Sequence, residues 1–91
     1  MQVKSVYILI DGRVQGVGFR YFVLQKASEL NICGWARNTP DGKVEIEAEG
    51  ESQNLATFVE WLKIGPARAI IKTFSVSGIS PSRQFKNFTI R

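Results

Sequence analysis

Histidine is absent from the 91-residue sequence. Its absence closes histidine-phosphatase, Ser-His-Asp and histidine-ligated metal mechanisms. Cysteine occurs once, so Cys33 has no partner for an internal disulfide or a metal site, and a reducing, cytoplasmic setting is expected. The residues after it, GWARNT, lack the glycine-rich anion loop ending in arginine that a cysteine nucleophile needs, which points to a buried structural thiol. With no convincing covalent nucleophile, any chemistry must rest on positioning and electrostatics. That suffices only for a substrate with a good leaving group. Long apolar runs are missing too. The early run VYILI, Val6–Ile10, is shorter than the roughly 7 to 15 residues of a signal-peptide core and ends at Asp11 without a small-residue cleavage site, so neither export nor a membrane span is expected. No low-complexity stretch, proline-rich linker or internal repeat divides the chain.

What remains is an ordinary globular composition, 44% hydrophobic and 22% charged, in a length that suits one domain over residues 1–91. The formal charge of +4 and the pI near 9.6 favour anionic partners without separating nucleic acid from a small phosphorylated metabolite. The cations are scattered, with Arg13 and Arg20 early and Lys72, Arg83, Lys86 and Arg91 late, so no basic tract for nucleic acid is expected.

Hydrophobic spacing predicts a strand over Val3–Asp11 and a helix over Tyr21–Leu30, with Val23, Ala27 and Leu30 on one face. Strands at Cys33–Asn38 and Lys43–Gly50 meet across the turn TPDG as a hairpin. In VEIEAEG, Val44, Ile46 and Ala48 alternate with Glu45, Glu47 and Glu49, which predicts a buried face and a solvated one. A second helix over Gln53–Ile64 carries Leu55, Phe58, Val59 and Leu62 and stops near Gly65-Pro66. AIIKTFSVSGI and FKNFTIR then read as a strand and a short final strand. The order predicts an α+β fold, the ferredoxin-like split β-α-β sandwich, in which an antiparallel sheet carries two helices on one face. That fold hosts many functions, so the site has to be argued from its own residues.

The segment DGRVQGVGFRYF, Asp11–Phe22, places three glycines and two arginines between the first strand and the first helix. Free N–H groups and the helix dipole at such a junction form an anion site, and glycine lets the backbone close around the anion. Arg20 breaks the local rule. A cation at a helix N-terminus costs about 0.3 to 1 kcal/mol unless an anion sits beside it, and a forked guanidinium suits a phosphate already held by backbone donors. A glycine turn with Arg20 lying on the surface is the competing reading. Neither G-x-x-x-x-G-K-[ST] nor G-x-G-x-x-G fits, because Val17 and Tyr21 stand where those patterns need glycine. Asn38, taken by itself, reads as a turn residue leading into Thr39-Pro40.

GRVQGVGFRYF and CGWARNTPDGKVEIEAEG together resemble the acylphosphatase family, and GPARA at Gly65–Ala69 and FTIR at Phe88–Arg91 extend the resemblance over nearly the whole chain. The resemblance implies metal-independent, cofactor-free hydrolysis of the carboxyl-phosphate bond of small acyl phosphates. Inorganic phosphate would be product and competitive ligand. It implies that Arg20 binds the phosphate and that the backbone of Gln15, Gly16, Val17, Gly18, Phe19 and Arg20 completes the cradle. Asn38 would orient the attacking water, with Thr39 supporting it. Asn31 departs from the family's usual glycine, and a tyrosine that many members carry beyond the last arginine is lacking after Arg91; Asn31 can supply a left-handed helix end as glycine would.

Two further readings stand beside this one. Large hydrogenase-maturation proteins begin with the same loop, but there proline usually follows the arginine, where this chain has Tyr21. A non-catalytic anion- or RNA-binding ferredoxin-like module would use the exposed sheet, yet the strands lack the paired aromatic motif of an RNA-recognition domain. A monomer with neither a nucleic-acid nor a membrane partner is expected.

Overall fold

The computed structural model describes residues 2–91. Along the chain run β1 (Val3–Arg13), α1 (Phe19–Leu30), β2 (Cys33–Asn38), β3 (Val44–Glu51), α2 (Ser52–Ile64), β4 (Ile70–Ile79) and β5 (Phe88–Ile90). The sheet order is β4-β1-β3-β2-β5. Its first four strands pair antiparallel, as the α+β reading expects, and both helices pack on one face.

Period-two alternation builds that face. Ile8 and Ile10 of β1, Ala36 of β2 and Val44, Ile46 and Ala48 of β3 are all fully buried, with Ile8 opposite Ile46 and Ile46 opposite Ala36. Onto it α1 lays Phe19, Val23 and Ala27, and α2 lays Leu55, Phe58 and Leu62. Leu30 and Val59 pack at the margin of this core. The Lys26 ammonium lies 4.0 Å from the Trp61 ring centroid and ties α1 to α2 across the solvent side.

Local departures from the sequence reading have identifiable causes. Helix α1 begins at Phe19, two residues before the expected Tyr21, because the Phe19 ring is drawn into the core and the Phe22 N–H closes the first turn on the Gly18 carbonyl at 3.0 Å. Asn31 ends it in the left-handed conformation, φ 56° and ψ 43°, as expected of a glycine substitute. The final strand pairs parallel to β2, Gly34 opposite Phe88 through Ala36 opposite Ile90, so the sheet is mixed rather than wholly antiparallel. The reason is connectivity. Strand β4 occupies one edge of the sheet and β5 the other, and the connection between them returns the chain in the direction of β2.

That connection also changes the glutamate face. Glu49 is buried rather than solvated, and its carboxylate accepts the N–H groups of Ser82 at 2.8 Å and Arg83 at 3.0 Å. Ser5, buried beside it in register, donates to the Ala48 carbonyl. Glu45 stays half-buried and accepts the Tyr7 hydroxyl and the Arg37 Nε–H. Those two hydrogen bonds hold its carboxyl below the usual carboxylate range, while the bond to Glu45 and, next, burial push the Tyr7 phenol up to about 12.

Candidate active site

The segment after β1 contains two glycines with positive φ, Gly16 at 73° and Gly18 at 79°. A side chain there would be strained by the backbone angle and by nothing else, because a Cβ at either position meets no atom within 4 Å. The backbone is therefore bent and bare on its outer side. Gly18 is the residue before α1, no side chain caps the helix, and its first turn carries no acidic residue. The amides of Gly16, Val17 and Gly18 take no part in the backbone bonds that close the turns of the described residues. A helix N-terminus in this condition favours an anion.

Arg20 stands at the second position of α1. One of its five guanidinium donors, at Nη1, makes a long contact of 3.4 Å to the main-chain oxygen of Arg91. Arg91 is itself held by its amide on the Ala36 carbonyl at 2.8 Å and by its guanidinium over the Trp35 ring at 4.8 Å. Asn38 closes β2 opposite Val44 at the start of β3. Arg20 and Asn38 are 18 residues apart by number, yet both line one cavity of about 140 Å³ with Val14, Gly16, Gly18, Phe19 and Tyr21.

Each expected residue has a definite place. Gly16, Gly18, Phe19, Arg20 and Asn38 meet at the cavity. The Phe19 ring is buried in the core beside Gly65. Val17 packs at the core margin. Gln15 directs its side chain to the β2–β3 turn, where Nε2–H groups donate to the carbonyls of Thr39 at 2.8 Å and Lys43 at 2.9 Å. Thr39 shapes the same turn. Its hydroxyl accepts the Lys43 N–H at 2.9 Å and donates to the Asp41 carboxylate, and its own N–H donates to the Lys43 carbonyl at 2.9 Å. The Thr39 hydroxyl, followed by the charge of Lys43, holds the exposed Asp41 carboxyl below its usual range.

Sequence reasoning passed over Val14 and Tyr21 as lining residues and over the Gln15 side chain. Tyr21 is 74% exposed although aromatic, an exposure that helical spacing alone does not foretell. Cys33 lies outside the cavity. It is half-buried rather than buried, its thiol donates to the Glu49 carbonyl at 3.4 Å, and burial followed by the charge of Glu49 pushes its pKa up. Among the described residues no group of three or more cysteine and carboxylate side chains is placed to hold a metal ion. No helix among them is long and apolar enough to cross a membrane.

Comparison with known proteins bears on the whole chain. The acylphosphatase family model matches residues 6–90. The chain is 42% identical over 90 residues to an acylphosphatase of Chlorobaculum tepidum, covering 99% of this chain and 98% of that one. The crystal structure of an acylphosphatase from Bacillus subtilis superposes with a TM-score of 0.93 at 40% identity, covering 99% of each chain. Full-length HypF, in a phosphate- and nucleotide-bound form, matches with a TM-score of 0.88 at 31% identity, but the match covers 99% of this chain and only 12% of HypF.

Proposed function

The chain belongs to the acylphosphatase family, and on that premise we propose that it hydrolyses the carboxyl-phosphate bond of small acyl phosphates with Arg20 and Asn38 in separate roles. The observation that carries the division of roles is the shared cavity. Arg20 approaches it from a helix N-terminus that favours an anion, and Asn38 approaches it from a strand end with a neutral amide. The phosphate is held by the Arg20 guanidinium and by backbone N–H groups from Gln15 to Arg20. Asn38 orients a water in line with the scissile bond. Charge on the equatorial phosphate oxygens is met by donors already in position, which is where such catalysis gains most of its rate. The water's proton passes to a phosphate oxygen, and the departing carboxylate needs no strong general acid. A protein without histidine can therefore run this reaction. Thr39 serves through the turn it shapes and touches no substrate.

Residues 1–91 act as one catalytic domain, a monomer in a cytoplasmic setting without cofactor, nucleic-acid or membrane partner. The test is phosphate release from benzoyl phosphate and acetyl phosphate in excess chelator, with a phosphomonoester as control. Turnover of both acyl phosphates and none of the monoester is expected. Dependence on added divalent metal would overturn the metal-free mechanism. Phosphate binding without turnover would leave a non-catalytic anion-binding module in its place.

A further inference from the structure

The Gln15 side chain spans two parts of the site that the sequence separates by 24 residues. Its amide nitrogen has two hydrogens, and both are used, on the carbonyls of Thr39 and Lys43. Those carbonyls bracket the β2–β3 turn. On one side of it Asn38 is the last residue of β2, and on the other Val44, its partner in register, begins β3. Gln15 is itself one residue before the first left-handed glycine of the cradle. A single side chain thus joins the backbone that would hold phosphate to the strand end that carries Asn38.

Neither carbonyl needs Gln15 in order to be satisfied. The Lys43 carbonyl already accepts the Thr39 N–H at 2.9 Å, and the Thr39 carbonyl accepts the Gly42 N–H at 3.2 Å. The turn is closed by its own bonds and by the Thr39 hydroxyl. Two additional bonds from a half-buried glutamine therefore contribute less to forming the turn than to fixing where it sits relative to the cradle. An in-line displacement is sensitive to that distance, since misplacement by about 1 Å can cost on the order of a hundredfold in rate.

We propose that Gln15 is a positioning residue for the hydrolysis, setting the Asn38 amide against the bound phosphate through its paired bonds to the Thr39 and Lys43 carbonyls. The inference rests on the role of Asn38 given under Proposed function. It assigns the Gln15 side chain a task distinct from that of its backbone N–H.

The test uses Gln15→Met, which keeps the side chain's length and removes both donors, and Gln15→Glu, which turns oxygen toward both carbonyls. With Gln15→Met, kcat on benzoyl phosphate is expected to fall roughly 10- to 100-fold. The dissociation constant for inorganic phosphate should stay within about threefold, and Gln15→Glu should lower kcat further. A merely structural glutamine would move the denaturant midpoint and leave the kcat of the folded protein alone. The decisive measurement places Gln15→Met in an Asn38→Ala background, where its effect on kcat should shrink to about threefold or less because the group it positions is gone. An unchanged kcat in Gln15→Met, a parallel loss of phosphate affinity, or full additivity with Asn38→Ala would each overturn the inference while leaving the Asn38 assignment standing. Near-native turnover by Asn38→Ala alone would instead overturn that assignment, and the inference with it.

Discussion

Two segments of this chain carry neighbouring backbone N–H groups outside the bonds that close its turns, and they differ in whether the protein itself supplies an anion to meet them. At Ser82 and Arg83 it is the protein's own Glu49 carboxylate, buried to 3% exposure and accepting one bond on each oxygen. At Gly16–Arg20 the helix start has no capping side chain and no acidic residue, and the charged side chain that lines the cavity beside it is a cation, Arg20. A fold ordinarily answers its own donors. The first segment does so and ties the return crossing of the chain to the sheet. The second adds positive charge to a positive helix end, an arrangement that costs about 0.3 to 1 kcal/mol unless an anion from outside completes it. The fold completes the first site with its own carboxylate and leaves the second without one, which is the basis for the proposal that the second takes a ligand.

The sharpest way to break the contrast is to remove the cation from the second site. Arg20→Gln should lower kcat/KM for benzoyl phosphate by on the order of 10³ or more, since both binding and transition-state charge lose their donor. Inorganic phosphate should raise the melting temperature of the native protein beyond what chloride does at equal ionic strength, and this difference should vanish in Arg20→Gln. Arg20→Lys should fail as well, because a point charge lacks the fork. If phosphate protects Arg20→Gln as it does the native chain, the cradle is misplaced.

Asn38→Ala sharpens the contrast within the second site. It should reduce kcat by on the order of 10² to 10³ while leaving phosphate affinity almost unchanged, because the asparagine is assigned to the water. Isothermal titration with phosphate beside steady-state kinetics separates the two quantities. Comparable losses in both would place Asn38 on the phosphate instead.

At the first site the expectation is reversed. Glu49→Gln leaves one of the two amides facing a donor, and should cost on the order of 1 to 3 kcal/mol in denaturant unfolding. Turnover by the folded protein should not change. Equal loss of phosphate binding would mean that the two donor sites are coupled rather than independent.

The smallest effect concerns a second carboxylate on the strand of Glu49, one that takes side-chain rather than backbone donors. Glu45 is held below its ordinary range, so the stability it lends is present above that range and fades as pH falls through the lowered value. Tyr7 has the opposite sign. Its contribution is whole below the ordinary phenol value of 10.0 and is lost as pH rises toward about 12. Tyr7→Phe should therefore flatten both limbs of a plot of denaturant midpoint against pH, and phenolate absorbance should lose its component near 12. Unchanged limbs would show the Tyr7–Glu45 bond to be energetically idle.

Much of this molecule was legible in local patterns. Alternation along VEIEAEG identified Val44, Ile46 and Ala48 as buried, spacing of three and four identified Leu55, Phe58 and Leu62, and both helices and the hairpin stand close to where periodicity predicted them. Arg20 was legible for a related reason. It conflicts with the helix that follows it, and such conflicts are visible without coordinates. Periodicity and conflict are properties of neighbours along the chain, so the sequence by itself determined the helix-bearing face of the sheet and the bent glycine loop that leads into an uncapped helix. It could not decide what meets across the sheet. Glu49 has the same alternating context as Glu45 and Glu47, and only the crossing of Ser82 and Arg83 distinguishes it. The parallel pairing of β5, the Gln15 bonds to Thr39 and Lys43, and the meeting of Asn38 with Arg20 in one cavity likewise join residues far apart in number. Those juxtapositions were decided by the tertiary structure, because register and connection path are set by burial summed over the whole sheet and leave no mark on any single stretch of residues.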